Sequence, residues 1–365
     1  MAKLKVEALQ AFPIRLKAKE TLRGGTFTYS HYQTVLVRAV CDGVEGWGEA
    51  MTRADPRATA ILVKQMSKQL IKKPISGPSA AWSTIWTDLR VRGHTRGTDV
   101  EALSGIEIAL FDCHARLASK PLSKVLSRRP AEKVGCYAGS LFESRGPLDE
   151  QVEVVKESGL AGAKVKIGFD PTEDARILKR VRDQMGRGML VADANGAYDL
   201  GAAKKACGLF ADLNLDWLEE PLLSDDWEGY EKLRLRNPVK LGAGESWFAG
   251  DFDETTSRNL VQVLEPSVSR CGGIGTELLV GRLAAQKRLG FSPMTGMNSA
   301  ISLAASVHVA SAVPCLGVEF NPFSNPLQTE LATGLPKPKS GTIDVPRKPG
   351  LGLEVDLRFV RRNSD

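Results

Sequence analysis

Two lysines one residue apart, Lys164 and Lys166, sit inside the apolar run Gly162-Ala163-Lys164-Val165-Lys166-Ile167-Gly168. On a β-strand, side chains at i and i+2 project to one face. Both ammonium groups would point one way, and Ala163, Val165 and Ile167 the other. A solvated strand face often carries two lysines. This run, however, lies mid-chain between two helical patterns, where a parallel strand is covered on both sides. Burying an ammonium group is costly unless it is paired or used.

Three carboxylates supply a use. Asp193 in Val191-Ala192-Asp193-Ala194-Asn195, Glu219 in Trp217-Leu218-Glu219-Glu220-Pro221 and Glu245 in Gly242-Ala243-Gly244-Glu245 end consecutive strand-like runs, spaced 26 residues apart. One βα unit is about that long, since a βαβ unit takes roughly 30 residues or more. The three would then stand on neighbouring strands at the C-terminal rim, where barrel active sites lie. Singly, each acid reads as a helix cap or a surface charge. Together they would repel one another without a cation, and an all-oxygen donor set with open positions favours Mg²⁺. A carboxylate substrate on that ion has an acidified α-proton. A lysine can take that proton only when neutral, and a second lysine and a nearby dication both depress its pKa.

Strand-like runs near 134–138, 163–167, 190–194, 217–220, 240–243, 261–265, 291–294 and 317–320 alternate with helical patterns such as 174–185, 202–210, 276–288 and 302–312. This alternation predicts a (β/α) barrel. A doubly wound sheet is the alternative, but no GxGxxG follows a first strand to support it. Ahead of the barrel, strands are expected over 3–16, 32–41 and 46–51, with Asp42-Gly43 as a hairpin turn. Asp55-Pro56 should open a helix, and further helices are expected over 80–91, 100–117 and 122–126. The segment 17–31, with Phe27, Tyr29 and His31, is long enough to be a lid loop, and 92–97 is a second polar loop. The expected division is an α+β capping domain over 1–128, a barrel over 129–322 and a Pro- and Gly-rich tail over 323–365 that returns to the cap.

The 49 basic and 43 acidic residues are scattered, with no basic run longer than two, which argues against nucleic acid as a partner. The six cysteines form no CxxC pair and are expected to be free thiols in a reducing cytoplasm. No apolar run approaches the roughly 20 residues of a membrane span, and the opening Met1-Ala2-Lys3-Leu4-Lys5-Val6 lacks a signal-peptide core.

The sequence resembles the enolase superfamily, and within it the mandelate racemase/muconate lactonizing enzyme family. Gly46-Trp47-Gly48-Glu49-Ala50 and Ala102-Leu103-Ser104-Gly105-Ile106-Glu107-Ile108-Ala109-Leu110-Phe111-Asp112 are similar to the family's capping-domain signatures, and Pro349-Gly350-Leu351-Gly352 to its ending. The resemblance implies a (β/α)7β-type barrel with a capping domain, Mg²⁺ as cofactor and self-association. Lys164-Val165-Lys166 matches the KxK motif, with Lys166 as base and Lys164 as its partner. Asp193, Glu219 and Glu245 match the metal ligands, Asn195 a residue near metal or substrate, and Glu319 the acid of the eighth strand that meets a substrate carboxylate.

One departure matters. Racemases and many dehydratases of this branch place an Asp after a Pro on strand six and a His after strand seven. Ser267 stands at the first position, and the second falls near Thr295, with no histidine in that loop. The opposite-face acid/base pair is therefore expected to be absent. His308 and His114, in apolar helices, read as structural. Tyr137, Tyr29 and His31 are candidates to reach a substrate, and Tyr29 or His31 could supply a proton from a lid. The expected reaction is loss of water from a sugar-acid-type hydroxy-carboxylate through an enediolate. The rivals are cycloisomerisation of a lactone or unsaturated diacid, racemisation with a lid-borne second base, and a non-catalytic metal-binding homologue.

Overall fold

The computed structural model describes residues 4–235 and 237–364; Lys3, the expected start of the first strand, and the Met1-Ala2 before it lie outside them. Strands β1 (Leu4–Arg23), β2 (Thr28–Cys41) and β3 (Val44–Met51) form an antiparallel sheet, with β4 (Pro74–Ile75) beside β1. Asp42 and Gly43 turn between β2 and β3 with φ of 47° and 76°, the positive pair that a type I′ turn needs. The segment 17–31 is not a loop. β1 and β2 stay paired to Lys17↔His31 and, after a shift in register, pair again at Leu22↔Tyr29 and Arg23↔Thr28. Ala18 and Leu22 are buried on one face while Lys17, Lys19 and Glu20 face water, so the arm has a strand's two-sided pattern.

Helices α1 (Pro56–Ser67), α2 (Pro78–Arg92) and α3 (Thr98–Leu117) follow, each close to its expected range. The Asp55 carboxylate accepts from the Arg57 N–H and caps α1, with Pro56 in the first turn. A Cβ on Gly48 of β3 would overlap the Gly105 carbonyl of α3, and one on Gly105 would crowd Val37 and Ala50, so glycine lets helix and sheet approach at both positions.

After α4 (Leu122–Leu126) come the eight parallel strands β5 (Lys133–Leu141), β6 (Gly162–Lys166), β7 (Met189–Asp193), β8 (Trp217–Glu219), β9 (Leu241–Ala243), β10 (Val263–Leu264), β11 (Gly290–Phe291) and β12 (Val318–Phe320). Each lies beside the next, and β12 returns to pair with β5. The connecting helices are α5 (Leu148–Glu157), α6 (Pro171–Met185), α7 (Leu200–Phe210), α8 (Trp227–Arg234), α9 (Asp251–Ser257), α10 (Ile274–Lys287) and α11 (Ala300–Ala310). This is the expected (β/α)7β order. The edges of the curled sheet meet where the Leu316 N–H donates to the Phe291 carbonyl at 2.9 Å. Asp193 lies opposite Lys166 on one side and Glu219 on the other, so the strand-end acids stand side by side.

Ala163, Val165, Ile167, Leu190, Ala192 and Leu218 join the large core beneath the helices. Their alternates point into the barrel, where Tyr137, Val191, Trp217 and Val263 form a small apolar floor. The tail carries β13 (Thr342–Asp344), which pairs antiparallel with β5. The buried Asp112 carboxylate accepts from the N–H groups of Trp47 at 2.9 Å and Leu351 at 2.7 Å, tying tail to β3. All six cysteines are free, and no described helix is long and apolar enough to cross a membrane.

His308 joins α11 to α4 and the tail. Its Nδ1 accepts the Ser123 N–H at 3.1 Å, so its Nε2–H donates to the Leu351 carbonyl at 3.2 Å. Only the neutral ring does both, and burial pushes its pKa down from 6.5 to about 4. A base with a depressed folded pKa contributes stability that is present above the unfolded pKa and lost as pH falls toward the folded one. Stability should therefore fall between pH 6.5 and about 4 by up to roughly 3 kcal/mol from this group. Urea melts of wild type and His308→Gln across that window should show a shallower loss in the variant; identical slopes would contradict the assignment.

Candidate active site

Lys164 and Lys166 both point into the barrel from β6 and are 1% and 6% exposed. The Lys164 ammonium donates to Glu219 Oε2 at 2.8 Å and to Glu319 Oε1, and lies 3.6 Å from Asp193 Oδ2. Burial alone would lower its pKa, but Glu219 and Glu319 hold it charged, well above the ordinary lysine value. The Lys166 ammonium donates to Asp193 Oδ2 and, at 2.8 Å, to Asn195 Oδ1. Burial and Lys164 push Lys166 down, as expected, yet Asp193, Glu245 and Glu219 together outweigh them and its pKa is raised. The expected depression thus does not arise from the protein's own groups, because a carboxylate sits on the base.

The carboxylates divide in two. Burial raises Glu219 and Glu265 well above the carboxylate range, reinforced by the charge of Asp193 at Glu219 and of Glu319 at Glu265. Burial and Glu245 push Glu220 up to about 8. Burial would also raise Glu245, but Arg53 and then Lys166 hold it below that range. Arg53 Nη2 donates to Glu245 Oε1 at 2.7 Å, and Asn195 Nδ2 donates to the same oxygen at 3.1 Å. Glu319 Oε2 accepts the Gly296 N–H at 2.9 Å, and side chains at Gly139 or Gly296 would collide with that carboxylate.

Above these groups lies a cavity of about 470 Å³, lined by residues of the β1–β2 arm, the end of β3 and the strand ends. The tip of the arm bears down on the barrel. Phe27 places its ring 5.7 Å from Lys166 Nζ, and Thr26 Oγ1 donates to the Asn195 carbonyl at 3.0 Å. Three lining residues, Ser140, Asn195 and Glu220, hold positive φ of 69°, 45° and 37° without being glycine. Such strain collects at functional sites.

Lys164, Lys166, Asn195, Glu245, Glu319 and Tyr29 all line the cavity, with Asp193 and Glu219 bonded beneath them. Other candidates are placed elsewhere. Tyr137 does not reach the cavity: it packs edge-on to Trp217 in the floor, and its hydroxyl meets Ser292 Oγ at 2.9 Å. His31 does not line the cavity either; its Nδ1 meets Ser30 Oγ at 3.0 Å on the arm. Ser267 is buried beside Ser269, and the Thr295 hydroxyl donates to the Glu319 carbonyl. Met294, one residue earlier, faces the cavity instead, alongside Met51 and Met297. Sequence reading missed Arg53, Ser140 and Met294, and named Phe27 only as part of the expected lid segment. Glu265 ends β10 as the other acids end theirs, and that position was the available signal.

The three strand-end acids fit a hard cation by chemistry: they offer only oxygen, on adjacent strands, and Glu219 Oε1 is buried without a hydrogen-bond partner among the described residues. As placed, no group of three described His, Cys, Asp or Glu residues encloses an ion, since Lys164, Lys166 and Arg53 take the oxygens.

Residues 148–359 match the family model described as enolase C-terminal domain-like, and residues 16–127 match the mandelate racemase/muconate lactonizing enzyme N-terminal domain. A D-galactarolactone cycloisomerase of Agrobacterium fabrum is 27% identical over 97% of this chain and 97% of its own. An arabinonate dehydratase of Saccharolobus solfataricus is 27% identical, covering 86% of each chain. A solved racemase of Streptomyces coelicolor with bound magnesium has a TM-score of 0.90 at 23% identity, covering 99% of this chain and 100% of that one, and shares the fold.

Gly25 at the arm tip has no room for a side chain, since a Cβ would meet the Gly168 carbonyl and Ala197. Gly25→Val should lift the tip from the barrel. Amide exchange of residues 22–30 should then speed up by tenfold or more with the melting temperature nearly unchanged; unchanged exchange would show that the tip is not held there.

Proposed function

The chain belongs to the mandelate racemase/muconate lactonizing enzyme family of the enolase superfamily, and from that premise we propose that it removes the α-proton of a sugar-acid-type hydroxy-carboxylate and expels the β-hydroxyl as water. The observation that carries this is the pair of buried lysines facing strand-end carboxylates at the bottom of the cavity. Asp193, Glu219 and Glu245 would hold Mg²⁺. When bound, the ion supplies positive charge beside the substrate carboxylate and engages Asp193, freeing Lys166 to be neutral.

Lys166 Nζ takes the α-proton as the C–H bond breaks, and its electron pair moves toward the carboxylate. Lys164, kept charged by Glu219 and Glu319, donates to the carboxylate oxygen where negative charge develops. The C–O bond to the β-hydroxyl then breaks, and the departing oxygen leaves as water with a proton from Lys166 or the Tyr29 hydroxyl. Phe27 excludes bulk water from Lys166. Thr28, Gln33, Thr52, Ser140 and Ser246 offer neutral hydrogen bonds suited to sugar hydroxyls.

Cycloisomerisation of a lactone is the second reading. It too needs one base, and the 27%-identical relative of nearly equal length is a lactone cycloisomerase. Racemisation is disfavoured because the loop after β11, where a second base is expected, contributes to the cavity the thioethers of Met294 and Met297, which neither give nor take protons.

Two outcomes test the reading. Lys166→Ala should lower kcat on sugar acids by 10²–10⁴-fold while calorimetric Mg²⁺ affinity stays within a few-fold. A variant within about tenfold of wild-type kcat would exclude Lys166 as base. Glu219→Gln should weaken Mg²⁺ binding by at least about tenfold in the same titration, and undiminished affinity would place the ion elsewhere.

A further inference from the structure

A buried guanidinium lies between the arm and the seam where the barrel closes. Arg145, in the 3-10 turn Glu143–Arg145 that follows β5, has a side chain 7% exposed. Its Nη1 donates to the Ser140 carbonyl at 3.0 Å, and its Nε lies 3.3 Å from Glu20 Oε2 on the arm. Its Cζ stands 3.9 Å from the ring centroid of Phe323, in the segment after β12, and 5.3 Å from that of Phe142. One side chain thus meets β1, the end of β5 and the exit of β12. Ser144 Oγ accepts the Arg23 N–H at 2.9 Å, a second tie from the same turn to the same arm.

Two paths lead from Arg145 to the site. The Phe142 ring packs edge-on against Phe27 with centroids 6.4 Å apart, and Phe27 is the ring beside Lys166 Nζ. Ser140, whose carbonyl Arg145 holds, keeps its positive φ and lines the cavity, while Gly139 before it packs against the Glu319 carboxylate. Stability gives little reason for a cation here. Its acidic partner Glu20 is 53% exposed, and such a pair contributes little. What an apolar side chain lacks is the planar fork, which bonds in two directions and lays a flat charged face on aromatic rings.

We infer that Arg145 is a positioning residue: it fixes the arm to the seam of β5 and β12, so that Phe27 stays seated beside Lys166. Arg145 does not itself line the cavity. The inference rests on Lys166 as the base only for its kinetic consequence, so the first measurements need no turnover.

Reductive methylation followed by peptide mass spectrometry reads how often Lys166 is uncovered, with Lys179, 65% exposed, as the internal control. Arg145→Met should label Lys166 at least about tenfold faster than wild type with Lys179 unchanged, and amide exchange across residues 18–30 should rise by a similar factor. Arg145→Lys keeps a charge facing Glu20 but not the fork, and should restore part of the protection. Glu20→Gln should give a smaller rise at both places. Unchanged Lys166 labelling in Arg145→Met overturns the inference, as does faster labelling that Arg145→Lys leaves fully in place. Should Arg145→Met fail to fold by circular dichroism, Glu20→Gln becomes the test, and unchanged labelling there overturns the inference. With a sugar acid that the enzyme turns over, Arg145→Met should raise KM by at least about tenfold and leave kcat within about threefold, since reseating the arm is drawn from binding energy. A fall in kcat at unchanged KM contradicts it. If Lys166→Ala keeps its activity while Arg145→Met still uncovers Lys166, the proposed base falls and the positioning role stands.

Discussion

A single buried ammonium organises this molecule. Lys164 sits inside the barrel between Glu219 and Glu319, with Asp193 3.6 Å away. Removing one partner of such a buried pair typically costs about 3–5 kcal/mol, because the remaining charge is stranded. A core of apolar residues would hold the barrel as well or better, so stability gives no reason for this arrangement. Its use is electrostatic: a fixed positive charge at the bottom of a cavity, surrounded by more carboxylate than it can neutralise. That surplus is what a dication and an anionic substrate would settle.

The rest of the fold serves that layer. Parallel register puts Lys166, Asp193 and Glu219 side by side on β6, β7 and β8. The cap supplies the lid and the mouth through the β1–β2 arm and Arg53. Glu49 of β3 lines the cavity and accepts from the Ser299 and Ser302 N–H groups at the start of α11. One carboxylate thereby locks the cap to the loop that carries Met294 and Gly296.

Much of this was legible in the chain. The eight barrel strands follow from buried β-rich runs at regular intervals, and the acids from a constant spacing of 26 residues. Those signals are local or periodic, so one sequence carries them. The arm over residues 17–31 was misread as a loop because Gly24-Gly25 and a cluster of lysines mask its alternation of buried Ala18 and Leu22. Tyr137 sits at a strand position that faces the barrel interior, but depth along the barrel axis is set by the shear of the sheet, which no spacing reveals. Arg53 and Glu245 are 192 residues apart, and only the docking of cap on barrel joins them. The loop expected to bring Thr295 to the site brings Met294 to the cavity instead, with the Thr295 hydroxyl on the Glu319 carbonyl.

The central claim is that proton chemistry comes from the lysine face alone. Incubating a reactive sugar acid with the Mg²⁺-loaded enzyme in D₂O and following the α-carbon by NMR tests it directly. Deuterium should enter with retention of configuration, or water should be lost without any epimer appearing, and neither should occur in Lys166→Ala. Rapid interconversion of the two α-epimers by wild type would contradict the account, since it requires a second proton-transferring group on the substrate face away from the lysines.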